Sequence, residues 1–285
     1  MLRLVLSVAL MMIGAGVIAA EPTGTLAKIR DSGVIKLGYH RDAEPFSFVN
    51  PQGTPVGYSL DLCRRIASLV KSELGLTELK TELVLVNYEN RFDAVESGKV
   101  DIECGTATMT LSRMQRVDFS LMTFVTGGSL VSRAAAPLSK VEDVAGKKVA
   151  VIKSATAEAA LKAYLEKNSI EAQLVAVADG EEGIARLLEG DVDAFANDQV
   201  TLIGQIIRTR RPAEFALAQG LFSFEPYGLM IRRNDADLRL VVNTALARLY
   251  RSGEFQALFG KWFARVGIEP SPVLIAMYSL QAIPE

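Results

Sequence analysis

The chain has 285 residues, 49% of them hydrophobic and 22% charged, enough for one large globular domain or two ordinary ones. A formal net charge of −2 gives no electrostatic case for binding nucleic acid or an anionic membrane surface. The single histidine, His40, excludes a metal centre built from several histidines and limits any Ser-His-Asp or Cys-His arrangement to that one residue.

Residues 1–20 start with Arg3, continue as an apolar run broken by Gly14 and Gly16, and end in small residues before Glu21 and Pro22. This layout predicts a cleavable secretory signal, cut near Ala19 or Ala20, in preference to a permanent anchor. No cysteine sits at the junction for a lipid anchor, and no later stretch approaches spanning length. The expected mature chain is soluble and extracytoplasmic. Cys63 and Cys104 are the only cysteines. In an oxidising compartment the even pair suggests a disulfide, the alternative being two buried thiols.

A first strand is expected over Val34–His40, followed by the loop RDAEPFSF and a turn at Pro51–Gly53. Ser59 is the expected N-cap of a helix whose apolar stripe is Leu62, Ile66, Leu69 and Val70. TELVLVNYEN reads as a strand, RFDAVESG as a short helix closed by Gly98, and VDIECG as another strand. Gly127, Gly128 and Pro137 punctuate the chain, and strand–helix alternation resumes from KKVAVIKSATAEAALKAYLEKN through QVTLIGQIIRTRR. The end is helical, with a stripe of Leu238, Val242, Ala245, Leu246 and Leu249, and Pro270–Glu285 reads as a tail laid over the surface. Phe46, Phe48, Phe92, Phe119 and Trp262 are expected in the core, and His40 is expected at a strand end, satisfied by the backbone.

ESGKVDIECGTAT in the first half resembles LEGDVDAFANDQV in the second, with Gly98 matching Gly190 and Asp101 matching Asp193. Repeated strand–helix units build largely parallel sheets that gather ligands at the carboxyl ends of their strands. Thr106, Thr108 and Arg113 then fall on one binding edge, and Asn197 and Asp198 on another. The threonine hydroxyls, the turn's N–H groups and the Arg113 guanidinium suit a carboxylate. The Asp198 carboxylate suits an ammonium. Facing each other across a cleft, they match the backbone of a free α-amino acid. The structural alternatives are a surface Arg113–Asp118 pair and Asp198 as a helix N-cap.

Together GYSLDLC, ENRFDAVESGKVDIECGTAT, SRMQRVDFS and YGLMIRRND, in this order, resemble the amino-acid family of extracytoplasmic solute-binding proteins of ABC transporters, nearest its glutamate/aspartate-binding members. The resemblance covers nearly the whole mature chain. It implies the type II periplasmic binding-protein fold: α/β, two lobes, each a mixed, mostly parallel sheet, joined at a hinge. Lobe 1 would comprise residues 25–128 plus 229–268, lobe 2 residues 129–228, and the tail 269–285. The hinge crossings would lie near Gly127–Val131 and Phe224–Gly228.

It also implies roles. Arg113, with Thr106 and Thr108, would hold the ligand's α-carboxylate, and Asp198 its ammonium. Thr156 would add bonds at a helix start, Arg41 and Arg91 would meet a side-chain carboxylate, and Tyr88 would lie against the ligand's side chain. Ala107 and Ala155 replace hydroxyl residues of relatives, and Gly180 stands where some acidic-ligand binders place a histidine. The implied partners are a free amino acid and an inner-membrane ABC permease, with no nucleic acid, metal or cofactor. The protein would be a periplasmic monomer.

Exposed ion pairs contribute about 0–1 kcal/mol each, whereas micromolar affinity needs about 8 kcal/mol. A hydrated amino acid therefore requires a cleft that closes and excludes water. The chain has no GxxxxGK[ST] phosphate loop, so the energy of transport would come from the permease's ATPase. The rival reading is a dehydratase-like enzyme on the same fold acting on a cyclic carboxylate, with Glu44 or Glu158 as general acid. A receptor sensor domain is disfavoured because no membrane span or kinase region follows.

Overall fold

The computed structural model describes residues 21–284; the predicted signal lies outside the described residues. In chain order the elements are helix α1 (Gly24–Ser32), strands β1 (Val34–Tyr39), β2 (Asp42–Ala43), β3 (Ser47–Val49) and β4 (Pro55–Val56), helix α2 (Tyr58–Glu73), β5 (Lys80–Leu85), α3 (Arg91–Glu96) and β6 (Ile102–Glu103). Then come β7 (Val117–Thr126), β8 (Gly128–Arg133), β9 (Lys148–Ile152), α4 (Thr156–Lys167), β10 (Gln173–Val177), α5 (Gly180–Glu189), β11 (Ala194–Asp198), α6 (Gln199–Arg208), β12 (Phe215–Leu217), β13 (Glu225–Arg232), α7 (Ala236–Ser252), α8 (Glu254–Phe263) and α9 (Pro272–Leu280).

They form two five-stranded sheets, ordered β5-β1-β6-β13-β7 and β10-β9-β11-β8-β12, and a small antiparallel sheet, β2-β3-β4. Each five-stranded sheet holds a parallel trio, β5-β1-β6 or β10-β9-β11, extended by two antiparallel pairings. The sheets are more evenly mixed than strand–helix alternation alone predicts. The reason is that β7, β8 and β13 are the strands leading from one sheet to the other. β7 passes into β8 through Gly127, and β13 returns to the first sheet with Glu225 opposite Thr126.

The internal similarity has a physical basis. The Asp101 carboxylate accepts from the Lys36 N–H at 2.8 Å while the Asp101 N–H donates to the Lys36 carbonyl at 2.8 Å. Asp193 makes the same pair of bonds with Lys148, at 2.9 and 2.8 Å. Gly98 and Gly190, at φ +71° and +84°, end the preceding helices in the left-handed conformation that a Cβ disfavours. Each Gly–x–Val–Asp unit therefore stops a helix and clamps the incoming chain to the start of the central strand.

Both faces of each five-stranded sheet are packed. In the first sheet Ile35, Leu37, Ile102 and Leu229 face α2, α7 and α8, while Val95, Val100, Val117 and Met230 form the opposite layer. Phe46 and Phe48 lie in the first layer, with Trp262 edge-on to Phe48, and Phe92 and Phe119 in the second. Cys63 of α2 is disulfide-bonded to Cys104, 41 residues on, which closes a loop worth roughly 4 kcal/mol on the chain-entropy model.

Two local expectations change. Ser59 does not cap α2: the helix starts at Tyr58, two residues earlier, with Gly57 at the N-cap position, and the Ser59 hydroxyl donates to the Gly105 carbonyl at 2.8 Å. Gly57, at φ +138°, lies where a Cβ would stand 2.1 Å from the Phe46 carbonyl oxygen, so the chain enters by backbone contact and leaves no room for a side-chain cap. The segment read as a surface tail contains α9, which buries Leu274, Met277 and Tyr278 in the first core. Tyr278 Oη is hydrogen-bonded to Tyr58 Oη at 2.8 Å and donates to the Thr123 carbonyl at 3.0 Å.

Candidate functional site

The carboxyl ends of the two parallel trios meet across a seam. From the first sheet comes the run after β6, where Thr106 and Thr108 are buried, followed by Arg113. From the second come Ser154–Thr156 at the start of α4, and Asn197 and Asp198 at the end of β11. The Arg113 guanidinium donates through Nη1 to the Thr108 carbonyl at 2.9 Å and through Nη2, across the seam, to the Ser154 carbonyl at 3.3 Å. Thr108 Oγ1 and Thr156 Oγ1 are hydrogen-bonded at 3.0 Å, a second bridge between the sheets. Burial and the nearby Arg91 push the Arg113 guanidinium down to about 10, so it is still a cation at neutral pH.

Neither structural alternative for the two key charges holds. Asp118 pairs with Arg239 at 3.6 Å, not with Arg113. Asp198 occupies the N-cap position of α6, but its side chain makes no capping bond. It turns instead to the Tyr227 hydroxyl, which donates to Oδ2, while Oδ1 is buried without a partner. Burial and the Glu225 carboxylate push the Asp198 carboxyl up to about 7, against the opposing pull of the Tyr227 hydroxyl, Arg113 and Arg91.

Arg91 is 1% exposed, and its Nε and Nη1 have no hydrogen-bond partner. Its guanidinium lies over the rings of Tyr88 and Phe92, 4.9 and 5.4 Å from their centroids. Tyr88 is buried beside Thr106, Arg91, Asp42 and Asp198. Phe92 is both a core residue and a platform, with the Arg113 guanidinium also 5.3 Å from its ring. The seam therefore gathers Tyr88, Arg91, Thr106, Thr108, Arg113, Thr156 and Asp198. Arg41 differs: it is exposed, its carbonyl accepts from the Val49 N–H at 2.9 Å, and its guanidinium forms no hydrogen bond or ion pair with the described residues.

Several buried polar residues here were not legible in the sequence. Asp42, next to Arg41, accepts from the Gly180 N–H at 2.7 Å, and burial pushes its carboxyl up. Gln205 leaves both amide atoms unpaired and fills the space a side chain at position 180 would need, its Nε2 lying 1.7 Å from the place of a Cβ. His40 is satisfied by a side chain rather than by the backbone: Nε2 lies 2.7 Å from Glu103 Oε1, both groups are buried, and Glu103 Oε2 is unpaired. Glu225 and Tyr227 arrive on β13. Tyr227 lies inside the recognisable YGLMIRRND, but nothing in that run signals which neighbour its hydroxyl meets.

The carboxylates of the rival enzyme reading lie in other surroundings. Glu158 Oε2 accepts from the Ser154 N–H at 3.2 Å, an ordinary helix-start bond. Burial raises the Glu44 carboxyl, but the cations facing it are Arg208 and Arg265, not the arginines of the seam.

Two mixed sheets joined by paired crossings, with a polar seam between their strand ends, define a two-lobed α/β binding protein of the type II periplasmic class. Residues 35–265 match the family model of bacterial extracellular solute-binding proteins, family 3, and the chain belongs to that family. It is 38% identical over 256 residues to the L-glutamate/L-aspartate-binding protein of Pseudomonas aeruginosa, covering 89% of this chain and 84% of that one. It is 30% identical over 239 residues to the glutamate/aspartate import solute-binding protein of Salmonella typhimurium, covering 84% and 79%. Among solved structures, a mutant of ArgBP from T. maritima superposes with a TM-score of 0.74 at 26% identity, over 85% of this chain and all of that one.

Proposed function

We propose that this protein captures an acidic amino acid, glutamate or aspartate, between its lobes outside the cytoplasm and presents it to an ABC importer, without transforming it. The observation that carries this reading is the pair of unpaired, oppositely charged groups buried at the seam. Arg91 offers Nε and Nη1, and Asp198 offers Oδ1. Leaving such atoms without partners costs about 1–3 kcal/mol each, more for charged groups, unless a ligand completes them.

In the proposed complex Arg113 grips the α-carboxylate, with hydroxyls of Thr106, Thr108 and Thr156 around it. Asp198 takes the ammonium. Arg91 meets the side-chain carboxylate, and Tyr88 lines its path. Arg41, at the exposed rim, contributes less than Arg91. Several charge-assisted bonds of roughly 1.5–3 kcal/mol each reach the ~8 kcal/mol of micromolar binding once water is excluded. This requires lobe 1, residues 25–128 with 229–268, and lobe 2, residues 129–228, to shut about the crossings near Gly127–Val131 and Phe224–Gly228. The names of the relatives support the acidic ligand.

Titration calorimetry of the mature chain with glutamate, aspartate, glutamine and arginine tests it. Saturable heat with the first two, and no product formed, is expected. Arg113→Ala should weaken glutamate binding by at least ~12-fold, the loss of one charge-assisted bond. Arg91→Ala should abolish the preference for glutamate over glutamine, and Arg41→Ala should reduce it less. Binding of neutral and acidic ligands with equal affinity by the parent chain would overturn the acidic assignment, and consumption of a carboxylate ligand would favour the enzyme.

A further inference from the structure

We propose that Glu225 is a positioning residue that ties the two lobe-bridging threonines to both hinge crossings, so that shutting the cleft and ordering the ligand's polar shell are a single event. The inference rests on the binding reading above and concerns a residue outside the proposed ligand contacts.

Glu225 is buried where β13 leaves the second lobe, opposite Thr126 at the end of β7. Its two oxygens serve different parts of the molecule. Oε2 accepts from Thr156 Oγ1 at 2.8 Å, and Thr156 in turn meets Thr108 Oγ1 of the other lobe at 3.0 Å. Oε1 accepts from Ser223 Oγ at 2.6 Å, and Ser223 Oγ accepts from the Gly128 N–H at 2.9 Å. One carboxylate thus joins Thr108 of lobe 1, the start of α4 in lobe 2, and both chain crossings. The Gly128 end has little freedom: a Cβ there would stand 2.3 Å from the Phe222 ring and 2.8 Å from Ser223 Oγ.

The chain also has a fixed polarity. A carboxylate only accepts, so the one hydroxyl proton of Thr156 is committed to Glu225 and the Thr108 hydroxyl must donate to Thr156. The rung between the lobes therefore exists, with this direction, because an acceptor stands at its end. Opening the cleft parts Thr108 from Thr156.

The same charge acts on the ammonium site. Among the charged and titratable groups around Asp198, Glu225 opposes its ionisation while Arg113, Arg91 and the Tyr227 hydroxyl favour it, and Tyr88 completes the surround. A loss of packing alone, with the charge kept, would leave that balance untouched.

Glu225→Gln keeps the shape and removes both the charge and one acceptor. It is compared with the parent, both ligand-free and with glutamate, from pH 5 to 8. The proposal expects the ligand-free closed fraction, followed by a fluorescence-transfer pair across the lobes, to fall several-fold. It also expects the pH midpoint of glutamate binding to move down by ~1 unit, because a like charge beside Asp198 is gone. An unchanged closed fraction or an unchanged midpoint overturns it. A circular-dichroism melt establishes that the variant folds; should Glu225→Gln not fold, Ser223→Ala with Thr156→Val is measured by the same closed-fraction readout under the same criterion. Failure of the parent to bind any acidic amino acid would sink the functional reading instead, since the ligand-free closure measurement does not depend on it.

Discussion

In the proposed complex, a single carboxylate, Asp198, ties ligand binding to pH. Its pKa in the ligand-free fold is about 7, raised by burial and Glu225, against about 4 for an unfolded aspartate. Between those values the folded form holds the extra proton, so this group's contribution to ligand-free stability is present below pH 4 and is lost as pH rises to 7. An ammonium requires the ionised form, so ligand affinity runs the opposite way. Glutamate affinity should fall by up to about tenfold per pH unit below 7, and binding at pH 7 should release about half a proton. Calorimetry in two buffers of different ionisation enthalpy measures the release; zero release would place the ammonium elsewhere. Asp198 and Arg113 were legible, Asp198 because it closes a strand of the internal repeat and Arg113 because it follows the polar run after the matching strand. Glu225 and Tyr227 were not, because β13 has no counterpart in the repeat and meets Asp198 only through tertiary pairing.

At the scale of elements, α6 reaches across to the first lobe. Gly204 packs so closely that a Cβ would stand 2.2 Å from the Glu44 carbonyl oxygen. Its helical backbone tolerates alanine, so the clash falls on the approach of α6 to the 42–45 loop and not on the helix itself. Gly204→Ala should fold normally yet bind glutamate about 5- to 150-fold more weakly, the effect of a 1–3 kcal/mol steric penalty confined to the closed form. Calorimetry with a melting curve separates the two effects, and unaltered affinity would mean that α6 need not approach Glu44. The apolar stripe of α2 was readable from its spacing, whereas α9 was not. Pro272–Leu280 is apolar on nearly every side, so periodicity does not mark Leu274, Met277 and Tyr278 as the inward face. Docking against Tyr58 and Thr123 selected them.

At the scale of the molecule, a ligand that bridges the lobes stabilises the folded chain by mass action. Saturation at 100 times Kd adds about 2.7 kcal/mol, so a melting shift of roughly 5–10 °C is expected with glutamate, together with a smaller radius of gyration by small-angle scattering. A shift without contraction would indicate binding to one lobe and refute closure. The sequence by itself determined the strand–helix alternation, the helix-ending glycines, the Val-Asp clamps and the polar strand ends, because each depends on local conformation or on spacing along the chain. Only the tertiary structure decided which face of α9 is buried, that Asp42 and Gln205 belong to the seam while Arg41 stays at its rim, and that Tyr227 and Glu225 surround Asp198. Those outcomes depend on distances between residues far apart in the chain, which are set when two separately packed sheets are brought together at their strand ends and the polar groups stranded between them must find partners or wait for a ligand to supply them.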